Sequence, residues 1–149
     1  MQRGFSLIEL LVVFALIAVI TSLGFAAFSA YNSSQVVQSS TSDVANVLNT
    51  AKARALSQVK PDVCSASVLE GYEVTIAQGA QTYTLSVVCN GRHQLLSQSL
   101  PPQVTFSSDS TQQIRFGIGG VTSSASITIK GYGKTKTIMV NGAGRIEVN

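Results

Sequence analysis

Residues 4–30 read GFSLIELLVVFALIAVITSLGFAAFSA, and this stretch decides how the rest of the chain is organised. Its only charged residue is Glu9. At a rise of about 1.5 Å per residue, a helix over residues 10–28 spans roughly the 30 Å hydrocarbon core of a bilayer. The stretch therefore predicts a helix that enters a membrane, with a separate domain behind it. The residues that interrupt its apolar run are Thr21, Ser22 and Gly24.

Two general explanations leave part of this segment unexplained. A secretory signal peptide has a basic start, about 7 to 15 apolar residues and a cleavage site between small residues. Arg3 supplies the basic start, but the apolar run is longer than that, and residues 28–30 make a poor cleavage site. A plain membrane anchor fits the length, yet an unpaired carboxylate at Glu9 costs free energy in an apolar environment.

A third explanation accounts for the whole segment. The run Gly4-Phe5-Ser6-Leu7-Ile8-Glu9-Leu10-Leu11-Val12-Val13 resembles the processing site of type IV prepilins and of the pseudopilins of type II secretion systems. In those proteins a short basic leader ends in glycine, a peptidase cleaves after the glycine, and the new N-terminal residue is methylated. The resemblance implies that residues 1–4 are a leader, that cleavage separates Gly4 from Phe5, and that Phe5 is methylated. Glu9 then becomes the fifth residue of the mature chain, where the family has a glutamate.

The spacing of Phe5 and Glu9 has a physical reason. Removal of the leader leaves a positive amine on Phe5, about one helical turn from the Glu9 carboxylate. A carboxylate in an apolar bundle needs a charged or hydrogen-bonding partner, and the amine of the same or a neighbouring chain provides one. Glu9 is therefore the predicted assembly residue. Two interpretations of Thr21, Ser22 and Gly24 stay open: a stretch that unwinds when subunits pack, as in the family, or polar residues tolerated in a membrane helix.

The resemblance also implies a division of the chain and a set of partners. Residues 5–30 form a transmembrane and filament-core helix, residues 31–60 its second half, and residues 61–149 a β-rich head. The protein is then a structural subunit, without catalysis or cofactor, of a type IV pilus-like filament or a type II secretion pseudopilus. Its partners are other pilin or pseudopilin subunits, the prepilin peptidase, the inner-membrane assembly platform and membrane lipid. It is anchored in the inner membrane with the head outside the cytoplasm, and then enters a periplasmic or cell-surface filament.

The rest of the chain, about 120 residues, is long enough for one domain with a core. Apolar residues recur at helical spacing over 43–58, with Ser42 or Asp43 as the predicted N-cap and Pro61 marking the end. Beyond it, six or seven short segments alternate at period two between turn residues, which predicts antiparallel strands. The predicted fold class is α+β: a long N-terminal hydrophobic helix packed on an antiparallel β-sheet or small β-sandwich. The apolar faces are Tyr72, Val74 and Ile76; Tyr83, Leu85, Val87 and Cys89; Val104 and Phe106; Ile114, Phe116 and Ile118; Ile127 and Ile129; Ile138 and Val140; Ile146 and Val148.

Two cysteines, Cys64 and Cys89, allow a single pairing. The predicted membrane segment places them outside the cytoplasm, where disulfides persist. We therefore predict a disulfide, the alternative being two buried thiols. If the hairpin turn is centred near Gly79, Cys89 faces a residue near Glu70, so the segment 61–67 must bring Cys64 back to it.

Catalytic and metal-binding patterns are missing from the sequence. The single imidazole, His93, follows a turn and is interpreted as a solvated loop residue. The acidic residues show neither paired-carboxylate nor metal-loop spacing, and no nucleophile motif occurs. The sequence therefore argues against an enzyme.

A nucleic-acid-binding function is the alternative. Some minor pilins of this family bind DNA during uptake through a basic Gly-Arg-x-Arg motif near the C-terminus. Here residues 144–147 read GRIE, and the glutamate at the last position repels phosphate. The candidate nucleic-acid contacts, if they share a face, are Lys130, Lys134, Lys136 and Arg145.

Within the family, two features resemble the minor H-type pseudopilins and their pilus counterparts. One is the pair Ala53-Arg54 in the second half of the helix, and the other is a closing turn of the Asn-Gly-x-Gly-Arg kind at residues 141–145. The resemblance implies a place in that subgroup.

Overall fold

The computed structural model describes residues 6–121 and 123–149, with the side chains of residues 22–24 and 26 outside the description. These described residues form one long helix, α1 (Leu7–Leu56), a single 3-10 turn (Asp62–Cys64) and nine strands. The chain divides into two compact units, one ending at Gln35 and the other spanning Val36–Asn149. The strands are β1 (Gly71–Ile76), β2 (Thr82–Val88), β3 (Arg92–Ser99), β4 (Val104–Phe106), β5 (Gln113–Gly117), β6 (Gly120–Val121), β7 (Ala125–Gly131), β8 (Lys134–Val140) and β9 (Ile146–Val148).

The helix α1 is continuous, as the predicted long helix requires, and it passes through the position where an N-cap was also predicted. The N-cap prediction at Ser42 or Asp43 is wrong, because both residues lie inside α1. Hydroxyl groups near this point donate hydrogen bonds to carbonyl oxygens of the helix itself. Thr41 Oγ1 donates to the Val37 carbonyl oxygen at 2.7 Å. The predicted apolar face is confirmed, since Val44, Val47, Leu48, Ala51 and Ala55 are buried.

The last turn of α1 ends in a Schellman motif. The Val59 N–H donates to the Arg54 carbonyl at 3.0 Å, and the Gln58 N–H donates to the Ala55 carbonyl at 3.2 Å. Gln58 has φ 50°, the left-handed conformation that glycine usually provides at this place. The helix therefore stops several residues before Pro61, because its terminal carbonyls are already satisfied.

The strands form two antiparallel sheets. The first has five strands in the order β3-β2-β1-β5-β6, and the second has four in the order β4-β7-β8-β9. The helix packs on these sheets, which form a small sandwich, so the predicted α+β class is confirmed. The buried face of β1 carries Tyr72, Val74 and Ile76, in the predicted alternation. Tyr83 of the first sheet meets Phe106 of the second edge to face, with ring centroids 5.9 Å apart.

Two strands lie where no alternation was predicted. β6 has two residues, too few for a period. β3 (Arg92–Ser99) is an edge strand whose side chains are exposed apart from the half-buried His93, so neither of its faces has an apolar signal. The interpretation of His93 as a loop residue is therefore wrong. Ile118, expected to continue the face of β5, lies beyond that strand and is exposed.

The predicted turns between strands are present. Gly79 (φ 70°) lies between β1 and β2, and the pair Asn90-Gly91 lies between β2 and β3 with φ 50° and 135°. The turn from β8 to β9 is organised by Asn141, whose side-chain oxygen accepts hydrogen bonds from the Ala143 and Arg145 N–H groups at 3.1 and 2.9 Å.

Candidate assembly segment and sites in the head

The first part of α1 presents an apolar surface. Every described side chain from Ser6 to Thr21 is exposed, including Leu7 at 80% and Ile8 at 74%. A contiguous apolar surface of this kind marks a contact with lipid or with other protein chains. Over the described part of the chain, no helix has the length and apolar character needed to cross a membrane. The predicted span, residues 10–28, includes side chains at 22–24 and 26 that lie outside the description.

Glu9 is the acidic residue of the first turn of α1. A carboxylate there interacts favourably with the positive end of the helix dipole. Among the described residues, Glu9 has no ion-pair partner within 4.0 Å. Its predicted partner, the amine of Phe5, lies outside the described residues together with Gly4 and the rest of the leader. The cleavage site, the methylation of Phe5 and the assembly role of Glu9 stay predictions.

The polar positions midway along the segment are compatible with helix. Thr21 Oγ1 donates to the Ile17 carbonyl oxygen at 2.7 Å, so its hydroxyl is satisfied one turn back along α1. The backbone is helical throughout Leu7–Leu56. Both interpretations of these positions stay predictions, since unwinding on subunit packing concerns the assembled filament.

A disulfide joins Cys64 to Cys89, with their Cα atoms 5.7 Å apart. Gly71 pairs with Val88 in the antiparallel register, which places Cys89 opposite Glu70, as predicted, and the Glu70 N–H donates to the Val88 carbonyl at 2.9 Å. The 3-10 turn Asp62–Cys64 brings Cys64 back to this point. Both cysteines are buried, and the bond ties the α1–β1 connection to the end of β2.

The candidate nucleic-acid contacts do not lie on one sheet face. Lys130 pairs across the strands with Thr135, and side chains alternate along β8. Lys130 therefore lies on the opposite face of the sheet from Lys134 and Lys136. Arg145 lies in the turn after β8, and its Nε is 2.7 Å from a Glu147 carboxylate oxygen. The register thus separates the lysines, and Glu147 neutralises Arg145.

An ion pair between the buried Glu73 and the exposed Arg92, on the outer face of the first sheet, was not predicted. Glu73 of β1 is buried, and its carboxylate lies 2.6 Å from Arg92 Nη2 at the start of β3. Thr75 Oγ1 donates to the same carboxylate at 3.3 Å. Alternation along β1 indicated only that Glu73 faces away from Tyr72 and Val74. Its partner comes from an edge strand that has no apolar pattern, so the sequence held no signal for the pair.

Two titratable groups of the head have pKa values shifted by their surroundings. Burial raises the pKa of Tyr72, and the nearby Arg54 charge opposes that shift in part. The pKa of Asp109 is lowered, chiefly by a hydrogen bond from Ser107 Oγ at 2.6 Å. Both pKa shifts arise from burial and hydrogen bonds within the folded head. The described residues hold no cluster of three or more histidine, cysteine, aspartate or glutamate side chains able to bind a metal.

Residues 1–25 match the family model described as the prokaryotic N-terminal methylation motif. No curated protein matches the chain. No solved structure matches it either.

Proposed function

We propose that this chain, whose residues 1–25 match the prokaryotic N-terminal methylation motif, belongs to the type IV pilin and pseudopilin family and is a membrane-anchored structural subunit of a type IV pilus-like filament or a type II secretion pseudopilus. Family membership implies a filament subunit that is not an enzyme, inner-membrane anchoring before assembly, and partners in the assembly machinery. The proposal adds the roles of individual residues. Cleavage occurs between Gly4 and Phe5, Phe5 is methylated, and Glu9 directs assembly.

One observation carries the proposal. The N-terminal part of α1 is an exposed apolar helix whose single acidic residue is Glu9 in its first turn. A lone carboxylate makes insertion into lipid less favourable, so anchoring alone gives no reason for it. A partner amine on Phe5, supplied by the same or a neighbouring chain, gives that carboxylate a function in subunit packing.

The structure of the head supports export from the cytoplasm. The disulfide between Cys64 and Cys89 is of the kind that persists in oxidising compartments. The head is a small antiparallel sandwich on which the second half of α1 packs. In the proposed filament, the first half of the same helix would form the core and this head would lie outside it. The pair Ala53-Arg54 and the closing turn at 141–145 support a place near the minor H-type pseudopilins.

A filament preparation tests the proposal. Sheared filaments from cells that express the natural chain are separated from membranes and probed for this subunit by quantitative mass spectrometry. We expect a mature chain that begins with methylated Phe5, at a low copy number if the H-type placement is correct. A chain confined to membranes in cells that assemble filaments contradicts the proposal.

A further inference from the structure

The edge strand β3 and the helix α1 border an open groove. Its lining residues come from α1, β2 and β3, and its volume is about 490 Å³. Tyr83 forms the floor, with its hydroxyl donating to Gln98 Oε1 at 2.7 Å. The lining residues are Asp43, Asn46, Val47, Tyr83, Gln98 and Ser99.

The strand beside this groove has an open hydrogen-bonding edge. Within the described part of the chain, β2 is the one strand that pairs with β3. A bulge at Leu95 divides β3, because Leu85 pairs with Leu96 whereas Ser86 pairs with Gln94. The stretch Leu96–Ser99 keeps a regular register, and it is this stretch that borders the groove.

Beyond the bulge, the stretch Leu96–Ser99 lacks the charge and the proline that often prevent an edge from pairing with another strand. Protected edges carry charged side chains, especially lysine, or proline, or are interrupted by bulges. Residues 96–99 read LSQS, without charge or proline, and Leu96 is 37% exposed. The single charge of β3, on Arg92, is at its far end and is held by the Glu73 carboxylate at 2.6 Å.

The charge of the groove indicates which kind of segment fits. Asp43 is exposed at the groove, and among the described residues it has no ion-pair partner within 4.0 Å. The pKa of Tyr83 is raised, chiefly by burial and secondly by the negative charge of Asp43. The Asp43 carboxylate therefore acts electrostatically on the residue that forms the floor of the groove. A basic residue of an incoming segment would pair with Asp43 next to the Ser99 end of the strand.

We propose that the edge Leu96–Ser99 and the adjoining groove bind an extended segment of a different polypeptide chain by antiparallel strand addition, with a basic residue near the start of that segment placed against Asp43. Main-chain hydrogen bonds to the open edge supply the affinity, and the groove supplies the specificity. An apolar side chain of the segment covers Leu96. The first residue of such an antiparallel segment lies opposite Gln98, which shares a sheet face with Tyr83, so its basic side chain lies beside Asp43.

A second copy of this chain does not fit the edge. If two copies paired through β3 as antiparallel strands, the two-fold axis relating them would be perpendicular to the sheet. That axis would make the α1 helices of the two copies, which lie along the sheet, point in opposite directions. Two subunits anchored in the same membrane have helices that point the same way. This exclusion rests on the proposed function, whereas the strand addition itself does not.

Two synthetic peptides test the inference on the full chain in detergent micelles. Both are acetylated and amidated hexapeptides of alternating threonine and valine; one begins with lysine and the other with glutamate. We expect the lysine peptide to bind about threefold to tenfold more tightly, since an exposed ion pair contributes modestly and like charges repel. Asp43→Lys should reverse this preference, and Asp62→Lys, which changes an exposed acid outside the groove, should leave it intact.

Backbone amide hydrogen exchange supplies the second readout. Bound lysine peptide should slow exchange at alternate amides within residues 96–99, those that do not already pair with β2. Absence of binding, equal affinity for the two peptides in the natural chain, or protection only outside this stretch overturns the inference. These outcomes leave the proposed function untouched, because incorporation into filaments is measured separately.

Discussion

The hydroxyl of Tyr72, the second residue of β1, donates a 2.6 Å hydrogen bond to the carbonyl oxygen of Val59, just beyond the end of α1. Tyr72 is fully buried, so this bond ties the helix terminus to the centre of the five-stranded sheet. The Schellman motif and this bond together hold the chain where it leaves the helix.

Replacement of Tyr72 by phenylalanine should lower the free energy of unfolding by about 1 to 2 kcal/mol, because the ring stays in place while the Val59 carbonyl loses its donor. Denaturant unfolding of the full chain in detergent measures this. Tyr132→Phe is the matched control, since its hydroxyl makes only a 3.3 Å exposed contact with the Pro102 carbonyl. Equal losses in the two variants would contradict a specific role for the Tyr72 bond.

The same residue predicts a loss of stability at alkaline pH. The pKa of Tyr72 is raised in the folded protein, chiefly by burial, so the folded state holds its proton at a pH where the unfolded state has released it. The contribution of Tyr72 to the free energy of unfolding is therefore constant below the pKa of an unfolded tyrosine, near 10. It falls as the pH rises from there toward the folded pKa. Unfolding curves between about pH 9 and 11 should show a smaller decline in Tyr72→Phe than in the natural chain. If stability declined equally in Tyr72→Phe and in the natural chain, groups other than Tyr72 would be responsible for the alkaline loss of stability.

Gln58→Gly should stabilise the head by about 0.5 to 1 kcal/mol, because Gln58 adopts the left-handed conformation that glycine enters without steric strain. Thermal unfolding provides the measurement. Ser57→Gly is the neighbouring control; Ser57 is not among the residues with positive φ, so glycine there only adds flexibility to the unfolded chain. The two substitutions should therefore shift the transition in opposite directions.

Loss of the disulfide should cost about 3 kcal/mol, since the bond closes a loop between residues 25 positions apart. The double variant Cys64→Ser, Cys89→Ser should unfold at lower denaturant concentration than the natural chain. The natural chain in reductant should behave like the variant. Thiol labelling under non-reducing denaturation gives an independent check, because two reactive thiols per natural chain would contradict the disulfide.

Glu9→Leu should yield a chain that is cleaved and kept in the membrane but fails to enter filaments. If the carboxylate pairs with the Phe5 amine, as proposed, its removal leaves that amine without a partner in an apolar environment, at a cost of about 3 to 5 kcal/mol. Incorporation relative to the natural chain in the same strain is the measurement, with Glu147→Leu in the head as control. Normal incorporation of Glu9→Leu would refute the pairing mechanism while leaving the anchor intact.

Gly4→Val should leave an uncut precursor that carries the four leader residues. A β-branched side chain next to the scissile bond prevents the peptide from lying flat in a peptidase cleft, whereas Gly4→Ala should retain partial cleavage. Intact-mass measurement separates precursor from mature chain. A mature chain that begins near Tyr31 would instead indicate an ordinary signal peptide.

Much of the head was predictable because burial leaves a local pattern. The alternation of Tyr72, Val74 and Ile76 predicted the inner face of β1, and Asn90-Gly91 predicted the turn after β2. The helical spacing of Val44 and Leu48 likewise predicted the face of α1 that packs on the sheets. Each of these signals lies within a few residues of the feature it predicts.

The sequence by itself determined the N-terminal methylation motif, the apolar segment with Glu9, the α+β class and the single cysteine pairing. The tertiary structure alone decided that Arg92–Ser99 is an edge strand, that Arg92 pairs with the buried Glu73, and that Lys130 faces away from Lys134 and Lys136. An edge strand with both faces exposed has no hydrophobic period, so the sequence carries no signal for it. Cross-strand partners are set by register between segments far apart in the chain, and that register exists only once the sheets have formed.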